Sequence, residues 1–345
     1  MSPAITRCKA VARLSIRTSK RLPSCRRRWT TAWLALMLVG CAAGNDRPTP
    51  TPAGDAMAAH APALPDGVPV VADGVSGLLL RHAQVPSRHV AARNVDVWLP
   101  PGYDADGTER YPVLYMHDGQ NLFVPAQTLH GVDWGVDETM LAGIADGSLP
   151  QAIVVGIWNT PLRAQEYMPQ AAVTTPKVAT GVDWMPPFPA DSLVSDDYLD
   201  FIVGELKPAI DARYRTRPDA ESTFIMGSSM GGLISLYAIA RYPQVFGGAG
   251  ALSTHWPAGN GAMVDWLATH LPPPGHRLWF DHGDRGLDAA YAPYQQRMDA
   301  ALRASPLREG QDWTSQAFPG ADHSEPDWRA RLHLPLQFLL GHGQR

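Results

Sequence analysis

One short segment, residues 227–232, carries residue types that suit nucleophilic catalysis. Its sequence, Gly-Ser-Ser-Met-Gly-Gly, contains a G-x-S-x-G pattern centred on Ser229. Apolar runs precede and follow it, so the pattern predicts a strand, a tight turn and a helix. Glycines beside a strained turn prevent clashes between a Cβ atom and the neighbouring backbone. The N-terminus of the following helix would favour the negative charge that develops during acyl transfer. We therefore expect Ser229 to be a nucleophile.

A serine hydroxyl is a poor nucleophile at neutral pH and needs a base within hydrogen-bond distance. When the nucleophile lies on a strand–turn–helix elbow, the histidine comes last in the chain, on a loop after the final strand. Among twelve histidines, His323 has this position, in the turn-rich segment 318–325. We expect His323 to act as the general base.

The acid that orients this histidine should follow the preceding strand, near residues 277–288. Asp281 is expected inside that strand, where its role would be structural. Asp284 directly follows a turn glycine, and Asp288 lies at the start of the next helix. Both stay candidates for the acid, and we prefer Asp288.

Stabilising an oxyanion requires two backbone N–H groups. Met230, directly after the nucleophile, would supply one of them. The second should come from the loop after an early strand, where Gln120 is our choice and Gly119 would permit close backbone approach. We expect the adjacent His117 and Asp118 to brace this loop through hydrogen bonds.

Alternating apolar runs and helical patterns surround these residues. They predict a mostly parallel sheet covered by helices on both faces, an α/β fold. In such folds the reaction site lies beyond the carboxyl ends of the strands, where all the candidates fall. Strands are expected at 95–99 (an edge strand), 111–116 (central), 151–157, 223–226, 247–252 and 277–280; helices are expected at 136–147, 195–214, 232–242, 289–304 and 332–340.

The N-terminal residues predict export. Residues 1–28 hold nine basic and no acidic residues, and a short apolar run then ends in Leu-Val-Gly before Cys41. This pattern is typical of a bacterial lipoprotein signal over 1–40, with Cys41 acylated; a plain signal peptide or membrane anchor is the alternative. Residues 41–69 are rich in Pro and Ala and predict a flexible tether, with a short strand inside it as the alternative. The catalytic body would span 70–345.

Removal of the leader changes the charge of the protein. The whole chain has 29 basic and 33 acidic residues. Without the nine basic residues of the leader, 20 basic and 33 acidic residues remain, which gives a net charge of −13. Such an acidic surface disfavours nucleic acid as a partner. Two of the three cysteines leave with the leader and Cys41 would carry lipid, so we expect no disulfide, thiolate nucleophile or zinc site.

Three blocks in order resemble an esterase family of α/β-hydrolases that includes esterase D-like, feruloyl esterase-like and enterochelin esterase-like enzymes. The blocks are 111–123 (Tyr-Pro-Val-Leu-Tyr-Met-His-Asp-Gly-Gln-Asn-Leu-Phe), the elbow, and 323–329 (His-Ser-Glu-Pro-Asp-Trp-Arg). The resemblance covers roughly 90–340 and implies a Ser-acid-His hydrolase without a large inserted lid. Many relatives carry an acidic residue two places after the glycine of the acid loop, where this chain has Arg285.

Further residues at strand ends are candidates for substrate binding, namely Trp158, Arg163 and Trp256, although packing is an equal interpretation for each. We expect no metal, because His323 and Glu325 lack further ligands. We expect no cofactor either, since phosphate-binding and nicotinamide-binding fingerprints are absent from the sequence.

The sequence thus predicts a serine esterase acting on a small-molecule carboxylic ester through an acyl-enzyme. It would be held by its lipid anchor in the bacterial envelope, on the periplasmic face of the outer membrane. Two alternatives remain: an acyltransferase on the same triad, and a non-catalytic binding lipoprotein. The sequence does not identify the ester.

Overall fold

A nine-stranded sheet forms the centre of the protein. The computed structural model describes residues 63–128 and 131–341, all within the compact unit Pro52–Arg345. The strands are β1 Gly67–Pro69, β2 Leu78–Val85, β3 Arg93–Leu99, β4 Val113–His117, β5 Ile153–Ile157, β8 Thr223–Ser228, β9 Gly248–Leu252, β10 Arg277–His282 and β11 Trp313–Ala317, with β6 Lys177–Val178 and β7 Phe188–Pro189 forming a separate ribbon.

The strand order is β1-β2-β3-β5-β4-β8-β9-β10-β11. All neighbours from β5 to β11 pair in parallel, whereas β1, β2 and β3 pair antiparallel at the other end and join the parallel part through β5. The carboxyl ends of β4, β8, β9 and β10 therefore meet at one edge of the sheet. The predicted mostly parallel sheet and α/β-hydrolase fold are confirmed.

Helices cover both faces of the sheet, because the central strands are apolar on both sides. In β4, Val113 and Tyr115 belong to one buried cluster and Leu114 and Met116 to the other. The helices are α1 Val136–Asp146, α2 Arg163–Tyr167, α3 Ser195–Asp200, α4 Lys207–Arg213, α5 Met230–Arg241, α6 Ala262–Leu267, α7 Ala292–Arg303, α8 Glu325–Arg331 and α9 His333–Leu340, with a π-helical segment Phe201–Leu206 between α3 and α4.

Two expectations about the strands need correction. β3 was predicted as an edge strand but lies between β2 and β5, and Asp96, which gives it the polar alternation, is buried against Arg81 at 2.7 Å. The short strand kept as an alternative is present as β1, so the last three residues of the predicted tether pair with β2.

The predicted leader, Cys41 and most of the tether lie outside the described residues, and these expectations stay predictions. Within the part of the chain that the structure describes, every helix is too short or too polar to cross a membrane.

Candidate active site

Ser229 stands at the turn between β8 and α5 with φ 57° and ψ −124°, outside the favoured regions for a residue with a side chain. The turn is tight because strand and helix approach each other closely. A Cβ atom at Gly227 would lie 2.9 Å from the backbone of Gly231. The Ser229 N–H donates to the Leu252 carbonyl at 2.9 Å, and its carbonyl accepts from the His255 N–H at 3.1 Å. The serine backbone is thus fixed by the loop after β9.

The Ser229 side chain is partly exposed at this turn. Its hydroxyl makes no hydrogen bond with the residues at 63–128 and 131–341. The hydroxyl therefore keeps its hydrogen-bonding capacity for a proton acceptor.

His323 lies on the loop between β11 and α8, and its Nδ1 is 2.7 Å from Oδ1 of Asp288. The carboxylate accepts from Nδ1–H, which leaves the lone pair on Nε2. Tyr291 and Trp328 pack edge-on against the imidazole, with ring centroids 5.7 Å and 5.0 Å away. The ring is therefore held in one orientation.

Asp288 is buried, and its other oxygen accepts from the Ser253 hydroxyl at 2.5 Å and the Gly283 N–H at 2.6 Å. Burial alone would raise the pKa of Asp288, but the hydrogen bonds from His323, Ser253 and Gly283 hold it below the usual value. An ionised carboxylate here can stabilise an imidazolium on His323.

The structure separates the two acid candidates. The exposed Asp284 accepts from the Gly320 N–H at 2.7 Å and so supports the loop that carries His323, without contacting the imidazole. Asp281 lies in β10, as expected, and pairs with the buried Arg331 at 3.0 Å. Of these aspartates, Asp288 is the partner of His323.

Met230 and Gln120 each present a backbone N–H near a helical N-terminus. Met230 is the first residue of α5, where the N–H has no partner within the helix. Gln120 lies in the 3₁₀ turn Gly119–Asn121 directly after β4. A Cβ atom at Gly119 would come within 2.5 Å of the backbone of Gly156, so only glycine allows this approach to β5.

The turn that carries Gln120 is supported by a buried polar network. Asp118, at φ 55°, accepts two hydrogen bonds of 2.7 Å from Arg163 and one of 2.6 Å from Asn159. Burial would raise the pKa of Asp118, but Arg163 and Asn159 keep it below its ordinary value. His117 bonds to the hydroxyl of Tyr198 at 2.9 Å, and burial lowers its pKa to about 3. The imidazole of His117 is therefore neutral at physiological pH.

A mainly apolar pocket opens at Ser229. Met230 and Leu287 line it from the body of the protein, and most of the rest comes from the segment between α2 and α3. Sequence reasoning did not single out this segment, although its Trp-Met-Pro-Pro-Phe run is unusually apolar for a loop. The lining from this segment comprises Val178, Ala179, Thr180, Val182, Trp184, Met185 and Phe188.

Of the three candidate substrate-binding residues, Arg163 lines the pocket and the two tryptophans do not. Trp158 donates to Asp96 at 2.9 Å, with the Arg81 guanidinium 4.5 Å from its ring centroid. Trp256 is buried and donates to Gln295 at 2.9 Å. Each tryptophan has a structural contact that accounts for its position.

The pocket offers little to a metal. Its described lining contains no carboxylate, and its histidine, His255, uses both ring nitrogens, toward the Tyr291 hydroxyl at 2.5 Å and the Thr180 carbonyl at 2.7 Å. Burial lowers the pKa of His255 to about 4. The described lining thus offers a metal ion neither a carboxylate nor a free imidazole.

Residues 90–339 match the family model described as "Putative esterase". The match covers well over half of the chain, and the protein belongs to this family of α/β-hydrolases. It is a carboxylic ester hydrolase.

Individual relatives are more distant. The uncharacterized protein YbbA of Bacillus subtilis (strain 168) is 28% identical over 172 residues, which are 49% of this chain and 60% of that protein. The match therefore spans less than two thirds of this relative. Among solved structures, a ferulic acid esterase has a TM-score of 0.53 at 18% identity, with 76% of this chain and 97% of that chain covered. An IroE-like serine hydrolase from Shewanella oneidensis has a TM-score of 0.54 at 22% identity, with 74% of this chain and 78% of that chain covered. The ferric enterobactin esterase of Salmonella typhimurium has a TM-score of 0.56 at 22% identity, with 79% of this chain and 59% of that chain covered. At these identities the likeness concerns the fold.

Proposed function

We propose that the protein hydrolyses its ester through a Ser229–His323–Asp288 triad and an acyl-enzyme. The observation that carries this proposal is the 2.7 Å bond between His323 Nδ1 and the buried Asp288, on the sheet edge where Ser229 occupies its strained turn. The bond fixes the tautomer in which Nε2 can accept a proton. The Met230 and Gln120 N–H groups support an oxyanion hole at the same edge.

In the first half-reaction, Ser229 Oγ attacks the ester carbonyl carbon while His323 Nε2 takes the hydroxyl proton. The carbonyl oxygen becomes an oxyanion, which accepts hydrogen bonds from the Met230 and Gln120 N–H groups. The carbon–oxygen bond to the alcohol then breaks, and His323 returns its proton to the leaving alcohol. In the second half-reaction, water attacks the acyl-enzyme, His323 accepts the proton of the water, and the acid leaves as Ser229 regains its hydrogen.

The pocket supports an apolar acyl group as the substrate moiety. Trp184, Met185 and Phe188 offer aromatic and thioether surfaces that suit a flat or branched acyl chain better than a charged one. Arg163 lies at the pocket wall, but its Nε and Nη2 both donate to the Asp118 carboxylate, which balances its charge. We therefore propose that esters of aromatic acids react better than acetate esters.

The proposal is tested with Ser229→Ala, assayed on 4-nitrophenyl acetate and methyl ferulate. We expect kcat to fall by at least about 10⁴-fold on both esters, because the acyl-enzyme can no longer form. Ser148→Ala, which removes a hydroxyl from the turn after α1, is the matched control and should retain full activity. Mass spectrometry with a fluorophosphonate should place the adduct on Ser229. Retention of ester hydrolysis by Ser229→Ala, or an adduct on another residue, would refute the triad.

A further inference from the structure

Three carboxylates converge at the start of α1, outside the pocket described above. Asp133 and Asp137 are buried and Glu138 is half-exposed, and one carboxylate oxygen from each lies within 4.8 Å of those of the others. Arg329 of α8 pairs with Asp133 and, at 3.1 Å, with Glu138. The Ser76 N–H donates to Oδ2 of Asp137 at 2.5 Å. In each acid, therefore, one oxygen is bound by the protein.

The second oxygen of each acid is buried without a partner. Asp133 Oδ2, Asp137 Oδ1 and Glu138 Oε2 accept no hydrogen bond from residues 63–128 or 131–341. Leaving a buried carboxylate oxygen unsatisfied is costly, because its hydration is lost and nothing replaces it. A single common partner would satisfy all three atoms.

The charges of the cluster are also unbalanced. Three carboxylates face a single guanidinium, that of Arg329, which would leave two negative charges. Two positive charges would balance them.

We propose that Asp133, Asp137 and Glu138 bind one divalent cation of the hard, oxygen-preferring class, Ca²⁺ or Mg²⁺. Carboxylate oxygens are the ligands that these ions prefer, and water can complete the coordination. Side-chain exposures of 36% for Glu138 and 38% for Arg329 show that the cluster is open to solvent on one side. An ion can therefore reach the buried oxygens from the Glu138 side.

The position of the cluster suggests a structural role for the ion. It would connect the Ser76 loop, the start of α1 and, through Arg329, the helix that follows His323. The Trp134 N–H also donates to the Asn121 carbonyl at 2.9 Å, which ties the cluster to the turn that carries Gln120. A bound cation would thus stabilise two of the loops around Ser229 without contacting the substrate.

The test uses the full chain, purified in detergent and treated with EDTA. Terbium(III), a luminescent probe for such sites, is titrated with excitation of tryptophan, because Trp134 adjoins Asp133 in the sequence. Ca²⁺ and Mg²⁺ are then added separately as competitors, and thermal unfolding is followed with each ion. The variants are Asp137→Asn and, in case that variant fails to fold, the milder Glu138→Gln. Asp197→Asn, in an exposed group with His89 and Asp200, is the matched control.

We expect about one terbium per chain, displaced by Ca²⁺ or Mg²⁺, and a Tm higher by about 5 °C at a hundredfold excess of the ion over its Kd. Asp137→Asn and Glu138→Gln should weaken binding at least tenfold, since loss of even an indirect partner of a metal costs 10–100-fold. Asp197→Asn should bind as the wild type does. The proposal is overturned if none of the ions binds or raises the Tm. It is also overturned if Asp137→Asn stabilises the protein without any metal dependence, which would mean that Asp137 and Glu138 share a proton instead.

Discussion

Asp288 receives hydrogen bonds from three different segments at a buried carboxylate, which makes its charge and position unusually well defined. We expect Asp288→Asn to lower kcat by about 10³–10⁴-fold, because an amide cannot stabilise the imidazolium and can favour the wrong tautomer of His323. KM should change much less, since Asp288 does not line the pocket. Steady-state kinetics on the esters used for Ser229→Ala provide the measurement.

Asp284→Asn is the control for this prediction. It removes a charge from the same loop but keeps an acceptor for the Gly320 N–H, so kcat should stay within about twofold of the wild type. A larger loss in Asp284→Asn than in Asp288→Asn would mean that the acid has been assigned to the wrong residue.

The sequence located some of these residues better than others. Ser229 stands in a local pattern, and the order of strands along the chain singles out His323. The acid stayed open between Asp284 and Asp288 because both follow β10, and the choice depends on the path of the 3₁₀ turn Gly286–Ala290. Contacts made by Asp288 with Ser253, which follows β9, are not visible in one sequence.

The β8–turn–α5 elbow depends on the close contact between Gly227 and Gly231. A methyl group at Gly227 would lie 2.9–3.0 Å from backbone atoms of Gly231, so helix or strand would have to shift. We expect Gly227→Ala to lower the free energy of unfolding by about 1–3 kcal/mol. We also expect kcat to fall by about 10–100-fold, because Ser229 and the Met230 N–H would move together. Urea unfolding and kinetics measure the two effects.

Gly204 provides the matched control. It lies in the π-helical segment Phe201–Leu206, and a methyl group there would meet nothing within 4 Å. Gly204→Ala should leave kcat unchanged and stabilise the protein slightly, by up to about 1 kcal/mol, through the better helix propensity of alanine. If Gly227→Ala kept wild-type kcat and stability as Gly204→Ala should, the elbow would tolerate a side chain at Gly227.

The strands also differ in how well the sequence predicts them. Buried parallel strands such as β4, β5 and β8 are nearly continuous apolar runs, so the sequence predicts them to within a few residues. β11 has the polar sequence Trp-Thr-Ser-Gln-Ala and is only partly buried at the end of the sheet, so it lacked a clear pattern. The β6–β7 ribbon has two residues per strand and offers no periodicity, although the ribbon and the loop between its strands form much of the pocket.

The stability of the whole molecule should depend on pH through two of its buried histidines, His117 and His255. Burial lowers the pKa of His117 to about 3 and that of His255 to about 4, below the usual value of 6.5. Because both are neutral in the folded protein, lowering the pH below 6.5 protonates them in the unfolded chain first. Their contribution is thus fully present above pH 6.5 and is lost as the pH falls toward the folded values. Between pH 7.5 and 4.5 we expect each to reduce the free energy of unfolding by about 2–3 kcal/mol.

Asp137 acts in the opposite sense, because its raised pKa of about 7 favours protonation in the folded protein as the pH falls. The pH dependence of the free energy of unfolding of the wild type therefore combines both effects. A comparison between variants separates the contribution of the histidines. His117→Gln should destabilise the protein at pH 7.5 and yet lose about 2–3 kcal/mol less than the wild type on going to pH 4.5, since one buried base is gone. His270→Gln, which removes an exposed histidine stacked on Trp266, is the matched control. Urea unfolding at both pH values measures these differences in the free energy of unfolding. If His117→Gln lost as much stability as the wild type between pH 7.5 and 4.5, His117 would be protonated equally in the folded and unfolded states. The pKa shift attributed to its burial would then be wrong.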